Sequence, residues 1–209
     1  MNPDYNGGQL LALGIINALA DGILQRQTLA ATLAAPGEEA AVALALLRDF
    51  TSVADPKTEC LPIVYALGRT GIAAMAAHFG DRATVEQWLS TQHHAVRQAD
   101  RRQGIHHGPD GLTIQVAMAF SGEPWPAADQ SEDDRAADLD HRETLVTRDL
   151  NRWVRPQHAG TDMHELLISQ AWFAALMTGY AVQFDAARMR AYLLDYSALL
   201  IARTGGIRH

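Results

Sequence analysis

Histidine, aspartate and arginine crowd one stretch of the chain. His93 and His94 fall on a helical run, and His106 and His107 follow in the glycine-bounded segment GIHHGPDG with Asp110. Imidazole and carboxylate groups are ligands for a divalent transition metal. His93, His106, His107 and Asp110, supported by Asp100, therefore form the candidate metal set. Their spacing argues against it. Neighbouring helical residues point about 100° apart, so His93 and His94 cannot both face one ion easily. The run holds no His-x-x-x-His, Glu-x-x-His or His-Glu-x-x-His. Histidines on a polar surface hinge explain the same residues without a ligand.

Arg97 and Arg101 share a helix face at four-residue spacing and form a candidate grip for a phosphate or carboxylate. With Arg102 they also suit a solvated helix C-terminus, where cations meet the negative end of the dipole. Asp140-His141, His158 and His164-Glu165 make a third cluster. It reverses the His-Asp order of helical phosphohydrolases and lacks their histidine spacing. Glycine-rich phosphate loops, a nucleophile elbow and a dinucleotide fingerprint are all missing. No cofactor is expected, the alternative being a divalent transition metal.

The strongest binding candidate is the charged run from Glu132 to Val154. Its apolar stripe is Leu139, Val146, Leu150 and Trp153, and Asp138 pairs with Arg142 at helical spacing. Glu132, Asp133, Asp134, Asp140 and Asp149 are assigned to the outer face, with Trp125 in the preceding linker as an exposed aromatic anchor. Such a face is either solvated or docks a basic protein partner, which acidic clusters would steer.

These residues need elements to hold them, and nearly every segment reads as alanine-rich helix. Runs start at Gly8, Glu38, Leu61, Thr84, Glu132, Asp162 and Asp185, with apolar residues recurring every three or four positions. Strand-like alternation is nowhere sustained. The fold expected is an all-α multi-helix bundle or irregular stack of helical hairpins, with about seven to nine helices. Its centre should be the nearly all-apolar Leu166–Met177, in which Ser169 and Gln170 will need partners. Ser131 with Asp134, and Asp162 with Glu165, resemble capping boxes; Asp81 and Asp185 should cap helices. Pro36 suits the first turn of the following helix. Thr51 to Glu59 and Gly104 to Gly111 read as loops. A proline-rich linker, Ser121 to Ser131, separates an N-terminal helical part from a C-terminal trio within one domain, residues 1–209.

Two hairpins look alike: a small-residue helix, an aspartate (Asp81 or Asp185), then a helix bearing an aromatic (Trp88 or Tyr192). This fits either a pseudo-duplicated stack or coincidence between amphipathic hairpins. On the last helix Met189, Tyr192, Leu193, Tyr196, Leu199 and Leu200 form a stripe widened by Leu194 and Ile201. Neighbouring helices cover both sides of it, or a second copy of the chain covers one, making a homodimer.

The 209 residues are 48% hydrophobic, enough for one ordinary core, and carry a formal charge of −7. That charge argues against nucleic-acid binding. The sole cysteine, Cys60, rules out an intramolecular disulfide and a cysteine-based zinc site. The acidic N-terminus, MNPDYNGGQ, lacks the pattern of a secretory signal, and the apolar run Ala171–Met177 is too short to span a bilayer. A cytoplasmic location is therefore expected. Alanine excess and arginine in place of lysine fit codon bias in a GC-rich bacterial genome. The leading functional expectation is a protein-binding domain acting through its surface, of the immunity or antitoxin-like inhibitor kind. The alternative is a metal- or anion-dependent helical enzyme or ligand-binding protein using residues 93–110.

Overall fold

A computed structural model describes residues 4–104, 108–125 and 129–205. Among these there is no strand, and the protein is all-α. The chain runs through α1 (Asp4–Leu24), α2 (Leu29–Ala34), α3 (Glu38–Val53), a π-turn (Pro56–Cys60), α4 (Leu61–Phe79) and α5 (Arg82–Arg102). It continues through α6 (Pro109–Phe120), α7 (Glu132–Trp153), a 3-10 turn (Pro156–His158), α8 (Ala159–Ala181) and α9 (Ala186–Gly205).

Local chemistry sets most of these boundaries. Asp81 Oδ1 accepts the Thr84 N–H at 2.8 Å, and Asp185 Oδ1 accepts that of Arg188 at 2.8 Å, so both aspartates cap helices as expected. Ser131 Oγ accepts the Asp134 N–H at 3.1 Å. Asp162 breaks the pattern. α8 begins three residues earlier, and Asp162, only 1% exposed, lies inside its first turn. There its carboxylate accepts the Arg155 N–H at 2.9 Å and pairs with the Arg155 guanidinium at 2.5 Å, closing the turn that Pro156 begins. Burial disfavours that carboxylate, but the Arg155 guanidinium and amide outweigh it and hold its pKa below the usual value. Pro36 stands before Gly37, the N-cap of α3, rather than in the first turn.

Of the two supposed loops, the first is largely helical and the second ends in the start of a helix. α3 extends through Val53, and the next residues wind a π-turn around Asp55, whose Oδ1 accepts the N–H groups of Lys57 and Thr58 at 2.9 and 2.8 Å. The second hides α6: Pro109 is a good N1 residue, so Pro109, Asp110 and Gly111 begin a helix instead of ending a hinge.

α4 and α8 form the centre and make the most extensive helix pairing. Glycine permits their closeness. A Cβ at Gly71 would lie 2.5 Å from the Phe173 ring, and Gly68 likewise admits α6, where a Cβ would lie 2.6 Å from Val116 Cγ1. Ile15, Leu47, Val64, Leu67, Ile72, Met75, Val85, Val116, Leu150, Leu167 and Leu193 are buried; Leu11, Leu44, Trp88, Trp172 and Leu176 pack at the edges. By length and composition alone Pro56–Phe79 could cross a membrane, but 61% of its most apolar window is buried in this core. Ser169 finds partners, accepting from the Thr113 hydroxyl and donating to Asp110. Gln170 donates weakly to the Thr113 carbonyl at 3.4 Å, and its Oε1 has no partner.

The packing follows an internal two-fold plan. α1, α3, α4 and α5 form one set; α6, α7, α8 and α9 form the other. α1 lies on α3 as α6 lies on α7. Each first helix also reaches into the other set, α1 against α8 and α9, α6 against α4 and α5. The hairpins α4–α5 and α8–α9 occupy equivalent places, and Val85 with Leu89 matches Met189 with Leu193, all buried. On α9 Tyr192 is half-buried and Leu194 is 68% exposed. The side chains of Tyr196, Leu199, Leu200 and Ile201 lie outside the described residues.

Candidate binding face around α7

α7 is well capped but sparsely packed. Its first turn carries Glu132, Asp133 and Asp134, favourable at the positive end of the helix dipole. Val146 and Leu150 are buried, with Leu139 and Trp153 at the margin, as the stripe predicts. Among the described residues, the only helix it packs against extensively is α6. Its two flanks are clefts.

The cleft beside the N-terminal half has a volume of about 670 Å³ and is lined by Trp125, Glu132, Glu123, Asp138 and four arginines, Arg69, Arg82, Arg135 and Arg142. Trp125 is half-buried against the core, a wall of this cleft rather than an exposed anchor. Arg142 bonds Asp138 at 2.9 and 2.5 Å and donates to the Ala119 carbonyl at 2.7 Å. Those bonds hold the Asp138 carboxyl below its usual pKa. Gly122 admits the guanidinium: a Cβ there would sit 3.0 Å from Arg142 Nη2.

Arg69 fastens this region to the core. It pairs with Glu123 at 3.0 Å and Glu143 at 2.9 Å, and its guanidinium lies 4.5 Å from the Phe120 ring centroid. Burial opposes its charge; the two carboxylates more than compensate and hold its pKa above the usual arginine value.

On the other flank α7 stands off α4. The seam is bridged by Tyr65, whose hydroxyl donates to the Glu143 carbonyl at 2.9 Å and lies 2.7 Å from Thr147 Oγ1. A trough of about 770 Å³ opens beside it, lined by residues that include Asp140, Thr144, Arg148 and Asn151.

The acidic set therefore does not act as one face. At about 100° per residue, Glu132, Asp133, Asp134, Asp140 and Asp149 spread around the helix. Glu132 faces the arginine cleft and Asp140 the trough. Asp134 accepts the Ser131 hydroxyl at 2.6 Å, and Asp149 lies between Arg148 and Arg152 at 3.2 and 3.6 Å. The surface is mixed in charge, acidic mainly over the first turn.

The 93–110 region is less coherent. His93 is half-buried with its Nε2 unpartnered, and burial, then neighbouring Arg97 and His94, lowers its pKa. His94 is exposed and bonds Gln98. Asp110 accepts from Ser169 at 2.6 Å, and Asp100 accepts the Gly108 N–H at 3.1 Å. His106 and His107 lie outside the described residues. Among those described, no three metal-capable side chains converge. Arg97 is half-buried and Arg101 exposed near the end of α5. Of the third cluster, His141, His158 and Glu165 are exposed, while His164 packs its ring against α3.

Sequence reading passed over Arg69, Tyr65 and Glu143. Arg69 did carry a signal: a charge midway along an otherwise apolar helix must find carboxylates. No protein-family model, curated protein or solved structure matches the chain.

Proposed function

We propose that this is a binding protein, of the small immunity or antitoxin-like inhibitor kind, that recognises a partner protein through α7 and the turn carrying Trp125. One observation carries the reading. Among the described residues, a helix of 22 residues packs extensively on a single neighbouring helix and offers both flanks as clefts. A helix needed only for the core would bury more of its circumference. The partner surface that fits has basic groups for Glu132, Asp133 and Asp134 and carboxylates for the arginine cleft. A photo-crosslinking side chain at Ala136, beside the cleft, is compared with one at exposed Ala95 on α5. A discrete adduct from position 136 alone, lost when Glu132, Asp133 and Asp134 become lysine, is expected. Identical smears from both positions, or no adduct, contradict the reading.

The second reading, a metal or anion site in the 93–110 region, draws on the unpartnered, buried Nε2 of His93. Metal analysis of tag-free protein tests it: a stoichiometric transition metal lost on His93→Ala favours that reading, and its absence disfavours it.

A further inference from the structure

Among the described residues, three other than glycine hold left-handed backbone: Arg26, Gln183 and Phe184, with φ of 55°, 57° and 57°. They close the C-terminal ends of α1 and α8, and Arg26 and Phe184 line one pocket between those ends. Both ends use the same pair of bonds. The N–H groups of Gln27 and Arg26 donate to the Gly22 and Ile23 carbonyls, each at 2.9 Å. Those of Phe184 and Gln183 donate to the Gly179 and Tyr180 carbonyls at 2.7 and 3.2 Å. Glycine is the usual residue at the left-handed position of such a turn, because any side chain there costs stability. α4 and α5 follow that rule with Gly80 and Gly104, at φ of 78° and 72°.

Phe184 has a packing reason to depart from it. Its ring folds onto Gly179, where a Cβ would lie 3.1 Å away, and meets Tyr180 edge-on at 5.0 Å between centroids. Arg26 has no such reason. Its side chain is exposed, and no carboxylate, carbonyl or ring among the described residues holds its guanidinium. Asp21 and Asp185, the acids nearest in sequence, do not line the pocket, and Asp185 Oδ1 caps α9 through the Arg188 N–H at 2.8 Å. A strained residue that nothing in the fold uses points to a ligand contact.

The pocket has a volume of about 400 Å³, within the range of small-molecule sites. Trp172, Tyr180 and Phe184 give it three aromatic walls, Ile23 and Leu176 add aliphatic surface, and Arg26 is its one charged side chain. We propose that it binds a planar aromatic carboxylate. The ring system lies against Trp172 and Tyr180, and the Arg26 guanidinium forks the two carboxylate oxygens. One guanidinium balances one negative charge, whereas a phosphate monoester would stay only partly neutralised. No residue of α7 lines the pocket, so the proposal does not depend on a protein partner.

The test is an NMR titration of the intact protein with 2-naphthoate, using 2-naphthylmethanol and cyclohexanecarboxylate as controls. Saturable shifts at the Trp172 indole and the Gln27 amide are expected with 2-naphthoate and weaker with either control. Arg26→Gly removes the charge and supplies the residue that the turn prefers. It should weaken 2-naphthoate about tenfold, leave 2-naphthylmethanol unchanged, and move the urea midpoint upward. Arg26→Gln removes the charge alone and should weaken 2-naphthoate to the same extent without the gain in stability. Equal affinity for 2-naphthoate and either control, unaltered 2-naphthoate affinity in both variants, or no saturable shift at millimolar ligand each overturn the proposal.

Discussion

The α3–α8 and α4–α7 seams are built from equivalent helices, yet one is shut and the other open. A glycine makes much of the difference. At Gly160 the missing side chain lets the α8 backbone meet the α3 carbonyls, while Tyr65 and Arg69 hold α7 at arm's length by hydrogen bonds and ion pairs. Backbone-to-backbone closure serves stability; a polar, bridged gap leaves α7 held by a few side chains. Damage should therefore cost more at the closed seam.

The largest effect is expected from Asp162→Ala, which removes a buried carboxylate and frees the turn before α8. Urea unfolding should show a loss of about 2 kcal/mol, less than for a fully buried pair because Arg155 faces water. Next comes Gly160→Ala. Alanine ordinarily stabilises a helix interior by roughly 1 kcal/mol. Here its methyl would strike the Thr51 carbonyl, and a net loss of about 1–2 kcal/mol is expected. A gain would mean that this seam is not closed.

At the open seam Tyr65→Phe removes one hydrogen-bonding hydroxyl and should cost about 1 kcal/mol. It should also speed proteolysis within α7 while leaving α3 unaffected.

The smallest effect concerns acid. Burial, with Arg48 nearby, lowers the His164 pKa despite the Leu47 carbonyl, which favours protonation. As pH falls below the ordinary histidine value of 6.5, the unfolded chain takes up a proton that the folded ring resists. Stability should therefore decline from pH 6.5 down to the lowered value. His164→Gln should flatten that slope, and an unchanged slope would remove the ring from the account.

The seams explain what sequence could and could not convey. Periodicity identified the buried α8, and aspartate or serine before a helical run located three caps, because both signals are local. α6 was hidden because Pro109 and Gly111 resemble hinge residues until tertiary packing on α4, α5 and α8 makes them a helix start. Asp162 mimicked a cap because its actual partner, Arg155, lies across a turn. The acidic residues of α7 were readable as residues but not as a surface, since Arg69 and Arg82 enter their neighbourhood from distant helices. The open trough left no sequence trace, because it depends on which side chains face each other across two helices.

The most direct test of this contrast is native-state hydrogen exchange of the free protein, compared between residues 140–152 of α7 and 40–53 of α3. Helices held by fewer buried contacts open at lower free energy. The α7 amides should exchange through a lower-energy opening than those of α3, with α3 opening only together with α8. Equal protection of the two helices, or an α3 that opens before α7, would contradict the account.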